Sequence, residues 1–194
     1  DMSELFKDKT TFNSDISGWN VGSVTTMSSM FENSTAFNQD IGVWNVSSVT
    51  NMFKMFRRAI TFNQDVSGWN VGSVTTMGYM FNMANNFNSD IGIWDVSSVT
   101  GMDGVFWGSS KFNQDISGWD VGSVTTMQSM FNAASTFNQQ LCWGVSGKTI
   151  TDMFTGSNGA STVACVFPDK ATLVTAVDAW VADEAAATAT YGDI

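Results

Sequence analysis

Apolar residues return along this chain in one fixed frame. Phe12, Phe37, Phe62, Phe87, Phe112 and Phe137 stand 25 residues apart, and each is followed by Asn. Trp19, Trp44, Trp69, Trp94 and Trp119 keep the same step, as do the columns that begin at Val24, Met27 and Phe6. No insertion or deletion breaks the register from Phe6 to Asn138. The unit reads F-N-x-D-[IV]-x-x-W-[ND]-V-x-S-V-T-x-M-x-x-[MV]-F. A longer alternation overlies it: units with Ser17, Ser67 and Ser117 before the Trp alternate with units carrying Gly42 and Gly92 there, as if a two-unit block had been duplicated. One such unit cannot bury its Phe, Trp and Met face alone, so neighbouring units must stack.

Within a unit, Met27, Met30, Phe31 and Ser34 fall at i, i+3, i+4 and i+7, a spacing that predicts a helix of about two turns with one mostly apolar stripe. Thr25 or Thr26 is placed to cap its start. A helix this short is unstable alone and must be held by packing. The stretches 14–17 and 21–25 read as short extended segments, with Ile16 and Val24 inward and Asp15, Ser23 and Thr25 outward. Gly18 or Gly22 marks the turn between them.

The S-V-T-x-M-x-x-M-F string and the F-N-x-D-I-x-x-W frame, over about Asp1 to Phe154, are similar to the repeat of BspA-like surface proteins. These are a divergent leucine-rich-repeat class also found in mycoplasma lipoproteins and marine microbial eukaryotes. The resemblance implies a right-handed, leucine-rich-repeat-like solenoid with short strands and two-turn helices in each coil. It also implies an extracellular or cell-surface location and an adhesive or binding role. The family shares no catalytic residues, so none is carried over. This chain departs from the family in placing Phe or Trp where other members place Leu, which predicts aromatic stacks in place of a leucine ladder. Two cysteines in a chain resembling secreted proteins favour one disulfide, Cys142 to Cys165.

Beyond Asn138 the frame degrades. Trp143 and Val145 sit one position early, and Ile150, Thr151 and Met153 read as one late, as in a capping repeat. Leu173, Val174, Val177, Trp180 and Val181 predict an amphipathic helix of about four turns, with Asp169 at its N-cap. The expected organisation is repeats over 1–141, a degenerate cap over 142–168, and a helix and connector over 169–194. Met2, Leu5 and Phe6 match Met27, Met30 and Phe31, while Gly192-Asp193-Ile194 matches Ser14-Asp15-Ile16. Half-units of this kind point to a longer parent chain or to head-to-tail docking between copies, with Met2, Leu5, Phe6, Tyr191 and Ile194 as the assembly candidates.

Composition narrows the chemistry. The 194 residues carry 8 Lys and Arg against 18 Asp and Glu, a net charge of −10, which disfavours nucleic acid and anionic membranes as partners. No apolar run is long enough to span a bilayer. His is absent, so Ser-His-Asp triads, Cys-His dyads and His-ligated metal are excluded, and no catalytic residue is expected. Lys54, Arg57 and Arg58 form the one basic cluster; it reads as a solvated face or as a contact to an acidic neighbouring subunit.

The remaining candidates are ladders. Stacking would place Asp15, Asp40, Asp65, Asp90 and Asp115 about 5 Å apart, with repulsion of about 1 kcal/mol per pair in water. Calcium between the rungs would offset this; so would hydrogen bonds from backbone amides or from a neighbouring Asn, the favoured answer. No cofactor is otherwise implied. The Asn column reads as structural, bridging one turn to the next. The Ser and Thr files, Ser23/Thr25 and their equivalents, read as caps and turn closures, or as a flat hydroxyl array able to order water as ice-binding proteins do. Asn33-Ser34-Thr35 and Asn45-Val46-Ser47 fit the N-glycosylation pattern. The reading that results is a non-catalytic extracellular structural or adhesive repeat protein with other protein copies, adjacent repeats or matrix ligands as partners. The alternative is a module binding glycan, protein, calcium or ice on its Asp or Ser/Thr face.

Overall fold

Equivalent residues of successive units lie directly on one another. Phe6, Phe31, Phe56, Phe81, Phe106, Phe131 and Phe154 form one column of nearly parallel rings 5.4–5.9 Å apart. Phe12 through Phe137 form a second column at 5.9–6.2 Å. The two columns touch within each rung, as where Phe81 and Phe87 stack at 3.7 Å. Trp44, Trp69, Trp94 and Trp119 line the other side of the Phe core and are buried. Each donates its indole N–H to a carbonyl 28 residues earlier, those of Ile16, Ile41, Val66 and Ile91, at 3.0–3.2 Å. The computed structural model describes residues 1–159, which lie within the unit Asp1–Ser161. The expected C-terminal helix, Cys165, Tyr191 and Ile194 fall outside the described residues.

The secondary structure differs from the expectation. Among the described residues there is no helix, and the strand content is a row of isolated parallel bridges, Thr26↔Asn51, Asn51↔Thr76 and so on to Thr126↔Thr149. The expected leucine-rich-repeat-like solenoid of short strands and two-turn helices is therefore corrected to a stack of rungs built from turns. The reason lies in where the amides go. A helix sends every N–H to the carbonyl four residues back. Here Met30, Glu32 and Ser34 donate three residues back, to Met27, Ser29 and Phe31. The intervening amides of Met27, Ser29, Phe31 and Asn33 donate to the next rung, to Asn51, Phe53, Met55 and Arg57.

Ser29 (φ 54°) and Asn33 (φ 59°) adopt the left-handed conformation that this division requires. The same two slots are left-handed on every rung, including Lys54 and Arg58, Tyr79 and Met83, and Gly104 and Gly108. The helical spacing still found the buried face correctly, since Met27, Met30, Phe31 and Ser34 are all fully enclosed.

The last described rung is shorter than the others. Phe154 stacks on Phe131 at 5.4 Å, Thr149 bridges Thr126, and the Phe131 amide donates to the Met153 carbonyl. Met153 thus occupies the second Met slot, two positions early, and the sequence reading of it as one late is corrected. Ile150 takes the first Met slot, its carbonyl accepting from Met153. Trp143 stays in the Trp column, 6.1 Å from Trp119, but its buried Nε1 has no acceptor among the described residues.

Candidate recognition surface

The ladders hold the rungs together. Each Asn accepts the amide of the next Asn in its column: Asn13 from Asn38, Asn38 from Asn63, Asn63 from Asn88, Asn88 from Asn113 and Asn113 from Asn138, at 2.7–3.0 Å. Thr50, Thr75, Thr100 and Thr125 donate their hydroxyls to the carbonyl of the Thr one rung earlier, at 3.1–3.3 Å. These four hydroxyl protons are spent inside the stack.

The Asp ladder is exposed, and each carboxylate closes its own turn. Asp15, Asp65 and Asp115 accept the amides of Ser17, Ser67 and Ser117, and Asp40 and Asp90 those of Gly42 and Gly92, at 2.9–3.0 Å. The Ser17 amide and hydroxyl hold Asp15 below the usual carboxylate range, and the Ser67 hydroxyl and amide do the same for Asp65. Among the described residues no three Asp, Glu, Cys or His side chains converge as a metal site would require. Asn33 is half-buried and donates to Asp8 at 2.6 Å, while Asn45 is exposed and accepts from the Ser47 amide and hydroxyl. Cys142 stands at the surface beside Trp143. Met2 and Phe6 pack on the core, and Leu5 is exposed.

Variation between rungs is greatest along one strip. The Phe, Asn, Trp, Val and Met columns repeat almost unchanged, whereas four slots in each turn ridge do not. They read Ser28, Phe53, Gly78, Asp103, Gln128; Ser29, Lys54, Tyr79, Gly104, Ser129; Glu32, Arg57, Asn82, Trp107, Asn132; and Asn33, Arg58, Met83, Gly108, Ala133. Sequence reasoning singled out the basic cluster here and missed its setting. The signal was present as the columns that fail to repeat, but a helical reading scattered them around an axis.

Two grooves lie on this strip. One, of about 690 Å³, runs over Asp8, Asn33, Arg58, Ile60 and Met83. The other, of about 300 Å³, is lined by Phe53, Lys54, Arg57, Tyr79, Asn82 and Trp107. Arg57 is fixed in place: its Nη1 donates to Glu32 at 2.6 Å and its Nε to the buried Asn82 at 3.2 Å. Asn82 in turn donates to the Trp107 carbonyl at 2.9 Å. Burial works to raise the Glu32 pKa, but the Arg57 and Ser29 hydrogen bonds and the charges of Arg57 and Lys7 outweigh it and hold the carboxyl below its usual range. Arg57 thus pairs with an acid on the adjacent rung of its own chain. The Lys54 ammonium lies 4.8 Å from the centre of the Phe53 ring, and Phe53 meets Tyr79 edge to face at 6.0 Å.

No helix among the described residues is long and apolar enough to cross a membrane. No curated protein and no solved structure matches the chain. The family described as "Mycoplasma protein of unknown function, DUF285" matches over residues 1–84 and 62–165, and the chain belongs to that family.

Proposed function

We propose that this chain is a non-catalytic structural or adhesive repeat module of the cell surface, and that it recognises its partner through the turn ridge. One observation carries the reading. Substitution between rungs is concentrated on the ridge, where Phe53, Lys54, Arg58, Tyr79, Met83 and Trp107 reach the surface, while the columns that hold the stack are copied almost unchanged. A site needs asymmetry, and in a repeat only the positions that differ supply it. The shift towards exposed Trp, Tyr and Arg at those positions matches the residue types that dominate interface energetics.

The test is adhesion of beads coated with the protein to surfaces carrying matrix protein or glycan. It is compared with a variant in which the outward ridge residues Phe53, Lys54, Tyr79, Met83 and Trp107 are all alanine. Loss of adhesion with an unchanged melting temperature is expected; equal adhesion overturns the reading. The Cys142–Cys165 disulfide belongs to the same proposal, since it suits an oxidising exterior. Mass spectrometry after alkylation without reductant should find both thiols protected.

End-to-end joining of copies is the second reading. Each rung gives its ridge amides to the carbonyls of the next, as Met27, Ser29, Phe31 and Asn33 do to Asn51, Phe53, Met55 and Arg57, a pattern that a rung of a second copy can continue. Negative-stain microscopy of the purified chain should then show long assemblies, and monodisperse single particles would remove it.

A further inference from the structure

Resting on that reading of the ridge, we propose that the cleft between Phe53, Tyr79 and Trp107 binds an anionic polysaccharide, with Lys54 and Arg57 meeting its carboxylates.

Three features select this ligand. The first is a groove lined by aromatic rings. The slot after Phe53 in its column is Gly78, and the slot after Tyr79 is Gly104. A Cβ at Gly78 would already lie 3.5 Å from the Phe53 ring, and one at Gly104 2.5 Å from the Tyr79 ring. The rings therefore lie over the glycine backbone of the next rung, and a side chain at either glycine would displace them from the groove they line. Trp107, 37% exposed, adds a third ring on the next rung. The three rings stand on successive rungs, and the centres of Phe53 and Tyr79 are 6.0 Å apart, about the length of one pyranose, whose C–H face packs on an aromatic ring.

The second feature is charge. The chain as a whole is strongly acidic, yet Lys54, Arg57 and Arg58 gather on this strip. Glu32 is engaged with Arg57 and Lys7, while Lys54 and Arg58 have no acidic partner among the described residues. Of the other acids in the same columns, Glu4 pairs with Lys7, Asp8 accepts from Asn33, Asp152 accepts from Thr155, and Asp103 turns its carboxylate to the Thr126 hydroxyl and the Gln128 amide. Arg57 is held rigid by Glu32 and Asn82, so its remaining donors are preorganised for a carboxylate.

The third feature argues against an extended peptide. Strand addition requires free backbone donors and acceptors. On this ridge the Met52, Lys54, Phe56 and Arg58 amides donate to the following rung, and the Met55 and Arg57 amides close turns. The Asn51, Phe53, Met55 and Arg57 carbonyls accept from the rung before. Side chains alone are left to recognise a ligand, which suits a sugar's faces and hydroxyls. The Tyr79 hydroxyl and the Trp107 indole N–H have no acceptor among the described residues and are available to it.

The experiment is calorimetry of the full chain with oligogalacturonate, neutral dextran and poly-glutamate peptide, using Trp107→Ala, Lys54→Gln and the control Ile93→Ala, whose side chain is exposed off the ridge. All variants are first checked for unchanged melting. Oligogalacturonate should bind and weaken with added salt. Trp107→Ala and Lys54→Gln should each weaken binding about tenfold, the scale of one lost ring or charge contact, with Ile93→Ala unchanged. Binding that survives Trp107→Ala overturns the site. Equal binding of dextran overturns the role of charge. Preference for poly-glutamate, or no binding to any of the three, overturns the glycan while leaving the ridge reading to its own adhesion test.

Discussion

At the scale of single residues, glycines and aromatics have sharply different tolerances on neighbouring rungs. A Cβ at Gly42 would run into the Asp65 carbonyl, and one at Gly92 would lie 2.6 Å from that of Asp115, yet Ser67 and Ser117 carry side chains in the same slot. The two-unit alternation seen in the sequence is therefore a steric alternation in how closely one rung approaches the next. Gly42→Ala should cost about 1–3 kcal/mol, read from the denaturant midpoint, while Ser67→Ala stays within about 0.5 kcal/mol. Glu32 provides a pH test. Its carboxyl is held below the usual range when folded, so its contribution is complete at neutral pH and is lost as pH falls through that depressed value. Glu32→Gln should lower stability by about 2 kcal/mol at neutral pH and flatten the loss of stability in acid, measured as midpoint against pH.

At the scale of the rung, stability comes from columns. Phe87 is fully enclosed, and Phe87→Ala should cost about 3–5 kcal/mol by thermal melting, with Phe12→Ala, half-buried, costing less. Trp94→Phe leaves the Val66 carbonyl without its donor and should cost about 1–3 kcal/mol beyond the change in packing. Trp143→Phe removes an N–H with no acceptor among the described residues and should cost clearly less; equal costs would count against the register assigned to the short rung.

This is also where sequence and structure part. Repeat length, inward residues and aromatic columns were legible because burial has to recur with each copy. The turn ridge was not. Met27, Met30, Phe31 and Ser34 bury the same face in a helix and in alternating turns, and the choice between them depends on amides of Ser29 and Asn33 that find carbonyls 24 residues away. Nothing local marks that choice, since Lys54, Tyr79 and Met83 are poor left-handed residues, each disfavoured by about 1–2 kcal/mol.

For the molecule as a whole, the rungs form a one-dimensional series in which each bonds mainly to its neighbours. The three lines of the ladder, Asn, Thr and the bridges from Thr26 to Thr149, run unbroken through the degenerate rung or up to it. The Asp turns occupy one part of each rung, and Lys54, Arg57 and Arg58 stand together on the ridge. Association with an anionic ligand should accordingly slow as ionic strength rises, because steering of this kind is screened.

The division of amides along the ridge has an evolutionary corollary. Because main-chain amides and carbonyls bond each rung of that edge to the next, its outward side chains are largely free to drift without loss of the architecture. New specificities would then arise by point substitution, with no loop to lengthen and no core to rebuild. A library randomised at Phe53, Lys54, Tyr79, Met83 and Trp107 should consequently yield mostly folded members, with Gly and Asn enriched among the best behaved at the left-handed slots Lys54, Tyr79 and Met83.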